Sequence, residues 1–284
     1  MKYKISIIIP IHNIENYIDK TLESIINQSI GYENLEVIMV DDCSSDGTPK
    51  IIDSYAAKYD NFIAIHLPEN NGLPGKPRNI GLEIASSDFI MFMDHDDLFE
   101  EDICEVLFNR ITSEDVDIVF CNFRSVFDDG SSHKYISIIK DKKEINVKTV
   151  NEDERILKLP PSIWTKIFRK NLILDNSIRF PEGMLAEDLS FYIHTLLKAK
   201  GIIYLNNYYG YNYRIRNSDK EKSTIHIRNK KYLHAMISGY KYTLNILKHE
   251  KKEVFFPIIF SSHLKYWMIC LVTGKITKPE KKEL

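Results

Sequence analysis

The chain has only four cysteines, Cys43, Cys104, Cys121 and Cys270, and no Cys-x-x-Cys pair. That scatter excludes a disulfide framework and a zinc knuckle. No Gly-x-Gly-x-x-Gly follows the first apolar run, Ile5 to Ile9, which removes a dinucleotide-binding dehydrogenase. The same run is too short for a signal peptide, so a reducing, cytoplasmic setting is expected. The most apolar stretch near the end, Val254 to Val272, is broken by Pro257, His263 and Lys265 and does not read as a membrane span. Internal repeats and low-complexity segments are absent as well.

With 284 residues and 44% hydrophobic composition, the chain can bury one sizeable core and a smaller accessory unit. The net charge of −2 conceals an asymmetry. Lys220 through Leu284 holds fourteen Lys or Arg against five Asp or Glu, so this tail carries +9 and the rest of the chain −11. A basic tail suits an anionic partner, either the acidic inner face of the cell membrane or a polyanionic acceptor. A solvated helix face accounts for the same residues, and no nucleic-acid partner is expected.

Apolar runs alternate with helical spacing through the first hundred residues. Ile5 to Ile9 is a strand stopped by Pro10, and Ile14, Tyr17, Ile18, Leu22, Ile25 and Ile26 recur on one helical face behind an Asn13 cap. Strand Leu35 to Val40 leads into Asp41-Asp42, and Ile51, Ile52, Tyr55 and Tyr59 mark a second helix. Phe62 to Ile65 is a third strand; a Pro/Gly loop from Pro68 to Pro77, a short helix from Asn79 to Ala85 and a fourth strand from Phe89 follow. This order predicts a parallel sheet covered on both faces, with ligands outside the carboxyl ends of its strands. Farther on, Asp128-Asp129-Gly130-Ser131 reads as a hairpin turn, which gives the sheet antiparallel edges. Lys140 to Glu154 is polar, Gly201 to Tyr213 is aromatic strand, and helices are expected at about Arg228 to Lys248 and Val254 to Val272.

The fourth strand ends in Asp94-His95-Asp96-Asp97. Carboxylates gathered at the end of a buried strand repel one another unless a cation joins them, and a hard divalent ion such as Mn2+ or Mg2+ fits oxygen donors of this kind. Asp97 with Glu100, Glu101 and Asp102 can equally cap the next helix. Glu187-Asp188 likewise opens a helix with Leu189, Tyr192, Ile193 and Leu196, and taken alone it reads as an acidic first turn.

Four segments in this order, Ile7-Ile8-Ile9-Pro10-Ile11-His12-Asn13, Val40 to Thr48, Met93 to Asp97 and Ala186-Glu187-Asp188, resemble the signature of family 2 glycosyltransferases with the GT-A fold. The loop Asn71 to Asn79, with Trp164 to Arg169 and Arg179 to Pro181, is similar to bacterial cell-surface polymer enzymes. Among these are transferases that place N-acetylglucosamine on polyribitol-phosphate wall teichoic acid. The resemblance implies an α/β fold, a mixed, mainly parallel sheet with helices on both faces, over residues 1–216. A basic helical extension, 217–284, follows.

The resemblance also implies roles. The donor is a UDP-sugar, UDP-GlcNAc for instance, and the acceptor a glycan or polyol-phosphate polymer. Asp96, with Asp94 near the ribose or the ion, holds the divalent cation. Asp188 is the general base of an inverting displacement and Glu187 the second candidate; the helix N-terminus is expected to keep the base ionised. Asp41 or Asp42 accepts from the uracil imide, Pro10 and Asn13 shape the base-binding loop, and His12, where the family often has Tyr, stacks on the base. Lys76 and Arg78 contact base or diphosphate, though Arg78 can instead pair only with Asp94 or Asp97. Tyr211, Arg214 and Arg216 close over the phosphates, or belong to the core. His95 is expected to alternate away from the site. The competing reading is a sugar-nucleotide or polymer-binding module of the same fold without turnover. A phosphatase fits poorly, because the acidic cluster ends the fourth strand and Asp97 follows it.

Overall fold

The computed structural model describes residues 2–216 and 230–261, with the side chains of 230–233 left aside. Strands β1 (Ile5–Ile11) and β2 (Leu35–Asp41) are buried along their whole length. Continuous burial is what an unbroken apolar run in a parallel sheet requires, since helices cover both of its faces. β3 (Phe62–His66) and β4 (Phe89–Phe92) flank them in parallel, giving the order β3-β2-β1-β4.

Alternate residues of β1 enter different cores. Ile5, Ile7, Ile9 and Ile11 join Ile18, Leu22 and Ile25 of α1 (Ile18–Ile26) on one face. Ile8 joins Leu82 of α3 (Gly75–Ile84) on the other. Gly81 lets α3 lie flat on the strand, because a Cβ there would stand 2.4 Å from Cγ2 of Ile8. α2 (Thr48–Lys58) covers β3. The helix α3 begins inside the stretch expected to be a Pro/Gly loop: Pro77 sits in its first turn, where a missing N–H costs nothing.

The second half is mixed. β5 (Leu98–Phe99) and α4 (Ile103–Ser113) precede β6 (Ile118–Phe127), which turns at 128–131 into β7 (Ser132–Lys134), the expected antiparallel edge. β8 (Glu144–Val147) lies within the stretch read as polar and pairs antiparallel with β10 (Ile202–Ile215). β9 (Lys166–Arg169) enters antiparallel between β4 and β6, so an antiparallel strand stands in mid-sheet as well as at the edge. The completed order is β3-β2-β1-β4-β9-β6-β10-β5.

After β9, α5 (Lys170–Asp175) leads towards α6 (Glu187–Lys198), and α7 (Lys230–His249) packs across α6. Tyr240, Leu247, Phe255 and Ile259 belong to the same core as Phe191 and Ile193 of α6, so this part of the expected extension is built onto the sheet. Phe180 stacks on Phe191 with centroids 3.9 Å apart, and Phe92 meets both rings edge-on. That aromatic wedge fixes the start of α6 against the end of β4. The rest of the basic tail lies outside the described residues. Among those described, no helix is long and apolar enough to cross a membrane.

Candidate active site

The carboxyl ends of β1, β2 and β4 open into a cleft of about 660 Å³. Its floor is Pro10, His12, Asp42, Asp94 and Asp96; its far wall is Glu187 and Asp188 from α6 with Met236 and Tyr240 from α7. Carboxylates more than ninety positions apart therefore share one crevice, at the edge where open α/β sheets bind ligands.

Arg78 joins the two sides. Its Nη2 donates to Oδ1 of Asp94 at 2.8 Å and its Nη1 to Oε1 of Glu187 at 2.6 Å, with the guanidinium buried over the Phe180 ring. Its partners are thus Asp94 and Glu187, with Asp97 left out. Glu187 is committed to Arg78, and burial raises its pKa. Asp188 is half-buried, and among the described residues its carboxylate accepts only from the Leu189 N–H, at 2.8 Å. Burial first, and then the Glu187 charge, push the Asp188 pKa up to about 7. The helix N-terminus is expected to favour the ionised form, and burial acts against it. Ala186, just before the pair, sits at φ +61°, a left-handed conformation that a non-glycine residue holds only when its surroundings enforce it. Part of that enforcement comes from α7, where a Cβ on Gly239 would stand 2.9 Å from the Leu185 carbonyl oxygen and 3.0 Å from the Ala186 Cβ.

Asp96 lies 2.9 Å from Nε of Arg216, close enough to pair but not aligned as a hydrogen bond. Asp97 has a different task. It is fully buried, accepts from the Tyr211 hydroxyl and the Arg214 N–H, each at 2.7 Å, and so ties β10 to the acidic turn. Burial, then the charges of Asp96 and Asp94, raise its pKa well above the usual range. It caps no helix. Tyr211 belongs to this lock and is buried, and Arg214 stacks over Tyr17, so of these three residues only Arg216, just past the end of β10, lines the cleft.

Asp94 and Asp96 fit a hard divalent cation as a pair that would need phosphate and water for its other ligands. Among the described residues no third His, Cys, Asp or Glu completes a protein-only set.

Several expected donor contacts stand elsewhere. Asp41 is buried, accepting from Ser44 N–H at 3.1 Å and lying 2.9 Å from Nδ1 of His66, so it is withdrawn from the cleft. Asp42 lines the cleft but is occupied in holding the next loop, accepting from the N–H of Asn71 at 3.0 Å and of Gly72 at 3.1 Å. Asn13 accepts from Ser45 N–H at 2.8 Å and Lys76 donates to Asn71 at 2.9 Å; both stiffen the rim and neither lines the cleft. His12 does line it, with Nδ1 3.0 Å from the Asp42 carbonyl. His95, expected to point away, lines it too, its Nδ1 donating to the Pro10 carbonyl at 2.9 Å. Lys166 is buried nearby but does not line the cleft. Its buried ammonium donates to Ser162 O at 2.6 Å beneath the loop that carries Pro161 into the cleft, and burial lowers its pKa to about 7. No local pattern could have signalled Met236 or Tyr240.

A mixed sheet whose parallel half delivers paired carboxylates to a cleft closed by a second acidic pair is the GT-A architecture of sugar-nucleotide-dependent transferases. Residues 6–175 match the glycosyl transferase family 2 domain, and the chain belongs to that family. It is 30% identical over 284 residues to a poly(ribitol-phosphate) beta-glucosyltransferase of Bacillus spizizenii, covering 98% of this chain and 43% of that protein. It is 31% identical over 234 residues to the poly(ribitol-phosphate) beta-N-acetylglucosaminyltransferase TarS of Staphylococcus aureus, covering 82% of this chain and 39% of TarS. The crystal structure of S. aureus TarS 1–349 in complex with UDP-GlcNAc superposes with a TM-score of 0.79 at 28% identity, over 98% of this chain and 77% of that one. The chain spans about two fifths of the length of these two relatives.

Proposed function

We propose that the protein is an inverting glycosyltransferase moving a sugar from a UDP-sugar to a hydroxyl of a cell-surface glycan or polyol-phosphate polymer. The observation that supports this reading is that Asp96 and Asp188, 92 positions apart in sequence, line one cleft, with Asp188 half-buried. TarS crystallised with UDP-GlcNAc, which makes that donor the first to try, and the relatives named for poly(ribitol phosphate) support the acceptor class.

Each residue then has a task. Asp188 takes the proton of the acceptor hydroxyl as its oxygen bonds to the anomeric carbon on the face away from the diphosphate, and the bond to UDP breaks. A base with a pKa near 7 is matched to that transfer at neutral pH. Arg78 holds Glu187 and Asp94 apart, keeping the second acid out of proton transfer. Arg216 exchanges its Asp96 contact for a phosphate oxygen when donor enters. Asp94 and Asp96 would hold Mn2+ or Mg2+, which, when bound, offsets charge on the departing diphosphate.

The test is transfer from a panel of UDP-sugars, beginning with UDP-GlcNAc, to poly(ribitol phosphate) with Mn2+, comparing wild type with Asp188→Asn. Turnover in the wild type and a loss of roughly a hundredfold or more in the variant is the expected result. Equal turnover would remove Asp188 from its role. Tight UDP-sugar binding without turnover in the wild type would make the protein a binding module.

A further inference from the structure

Just beyond β7 the Tyr135 N–H donates to the Phe123 carbonyl at 3.0 Å, and the chain bends at Ile138. Burial nevertheless alternates from residue to residue along 136–140. Ser137 and Ile139 turn inward and are held there: Ile139 is 2% exposed and its carbonyl accepts from Asn206 Nδ2 at 2.7 Å. Lys134, Ile136, Ile138 and Lys140 turn outward, and Ile136 is 79% and Ile138 50% exposed. The outer edge is therefore two bare aliphatic side chains bracketed by lysines. Exposed Lys142 and Lys143 come next.

Of these lysines, only Lys142 lies near a carboxylate that the described residues show as its partner, and that carboxylate is shared with Arg155. Asp141 is paired with Arg155 and Glu144 with Arg110, each at 2.6 Å, and Asp153 takes Arg155 at 2.7 Å with Lys142 at 3.7 Å. Asp128 and Asp129 stand at the hairpin tip, at the far end of β7.

We propose that this edge, Lys134 to Lys143, is where the protein docks on an anionic lipid surface. A phosphate polymer would be satisfied by the lysines alone and leaves the isoleucines unexplained. Bare aliphatic side chains beside a short edge strand are also an aggregation hazard unless something covers them. A headgroup layer accommodates both features: aliphatic groups enter the interface, and lysines are drawn by the surface potential. The edge is also close to the cleft. Tyr135 stacks on Phe123 at 5.1 Å, Phe123 meets Tyr213 at 6.5 Å, and Tyr213 lines the cleft. Docking here would bring the cleft up to the leaflet, whatever acceptor it uses.

The experiment is co-sedimentation of the full chain with vesicles of phosphatidylcholine alone or with about 30% phosphatidylglycerol, at low and high salt. Wild type should bind only the anionic vesicles. Ile136→Ser/Ile138→Ser and Lys134→Gln/Lys140→Gln should each weaken that binding by about tenfold or more, the lysine pair also flattening the salt dependence. These side chains are exposed and outside the cleft, so unchanged thermal unfolding and turnover on a soluble acceptor are the accompanying result, and that turnover is a separate readout from the docking. Undiminished binding by both variants would overturn the proposal. So would variants that bind vesicles normally but lose affinity for poly(ribitol phosphate).

Discussion

Nη1 of Arg78 donates to Oε1 of Glu187 at 2.6 Å across 109 positions of sequence, with both side chains buried. The bond joins α3 to the first turn of α6. Arg78→Ala would leave Glu187 buried without its counter-charge, so a loss of about 3–5 kcal/mol is expected. Urea unfolding at pH 7 measures it; a change below about 1 kcal/mol would show that the pair is replaceable by water. Arg78→Lys, which cannot span both carboxylates, should recover only part of the stability.

The raised pKa of Asp188 sets two opposite pH dependences. As a base it must be ionised, so kcat/KM should fall about tenfold per unit below about pH 7 and level off above it. For stability the sign reverses. A carboxyl whose folded pKa exceeds its unfolded value favours folding at low pH and loses that contribution as pH rises from the ordinary carboxylate range to about 7. Asp188→Asn should therefore unfold at a higher temperature than wild type at pH 8, and the gap should close towards pH 4. A lower Tm for the variant at pH 8 would contradict the assignment.

On the proposed assignment, Arg216 and a divalent ion would compete for Asp96. Replacing Arg216 by Ala should tighten apo-protein affinity for Mn2+ by several-fold, since a neighbouring positive charge is removed, while weakening UDP binding about tenfold. Calorimetry with Mn2+ and with UDP reads the two effects separately. If both affinities moved together, the competition would be refuted.

Gly239 permits α7 to press against Leu185 and Ala186. Gly239→Val should push the helix away, allowing Ala186 to relax from φ +61° and displacing Asp188. Reduced kcat/KM with near-normal UDP affinity is the expected pattern, because the nucleotide side is untouched. An unchanged rate would mean that α7 takes no part in placing the base.

What the sequence disclosed follows from which forces act locally. β1, β2 and β4 are legible as mainly apolar runs because helices cover both faces of the sheet, and two buried polar residues inside them, Ser6 and Glu36, bond to each other. The acidic turns are legible because carboxylates at strand and helix ends are chemically conspicuous. β9 is not: its first residue is a lysine, buried by hydrogen bonds to Ser162 and by the rings of Phe120 and Tyr192. β8 is obscured by charged neighbours whose partners lie far along the chain, as Glu144 pairs with Arg110. Within the cleft the residue types could be named in advance, but their partners could not. Adjacent aspartates Asp41 and Asp42 look interchangeable in sequence, and only the fold turns one towards His66 and the other towards Asn71 and Gly72.

The match to the family ends at residue 175, ahead of Asp188 and of the α7 residues that wall the cleft. On the proposed reading, the base and the wall that would meet the receiving alcohol are thus written outside the matched region, while most of the donor side, Arg216 apart, lies within it. Rewriting Met236 and Tyr240 should retarget the reaction while the handle that holds the donor stays as it was.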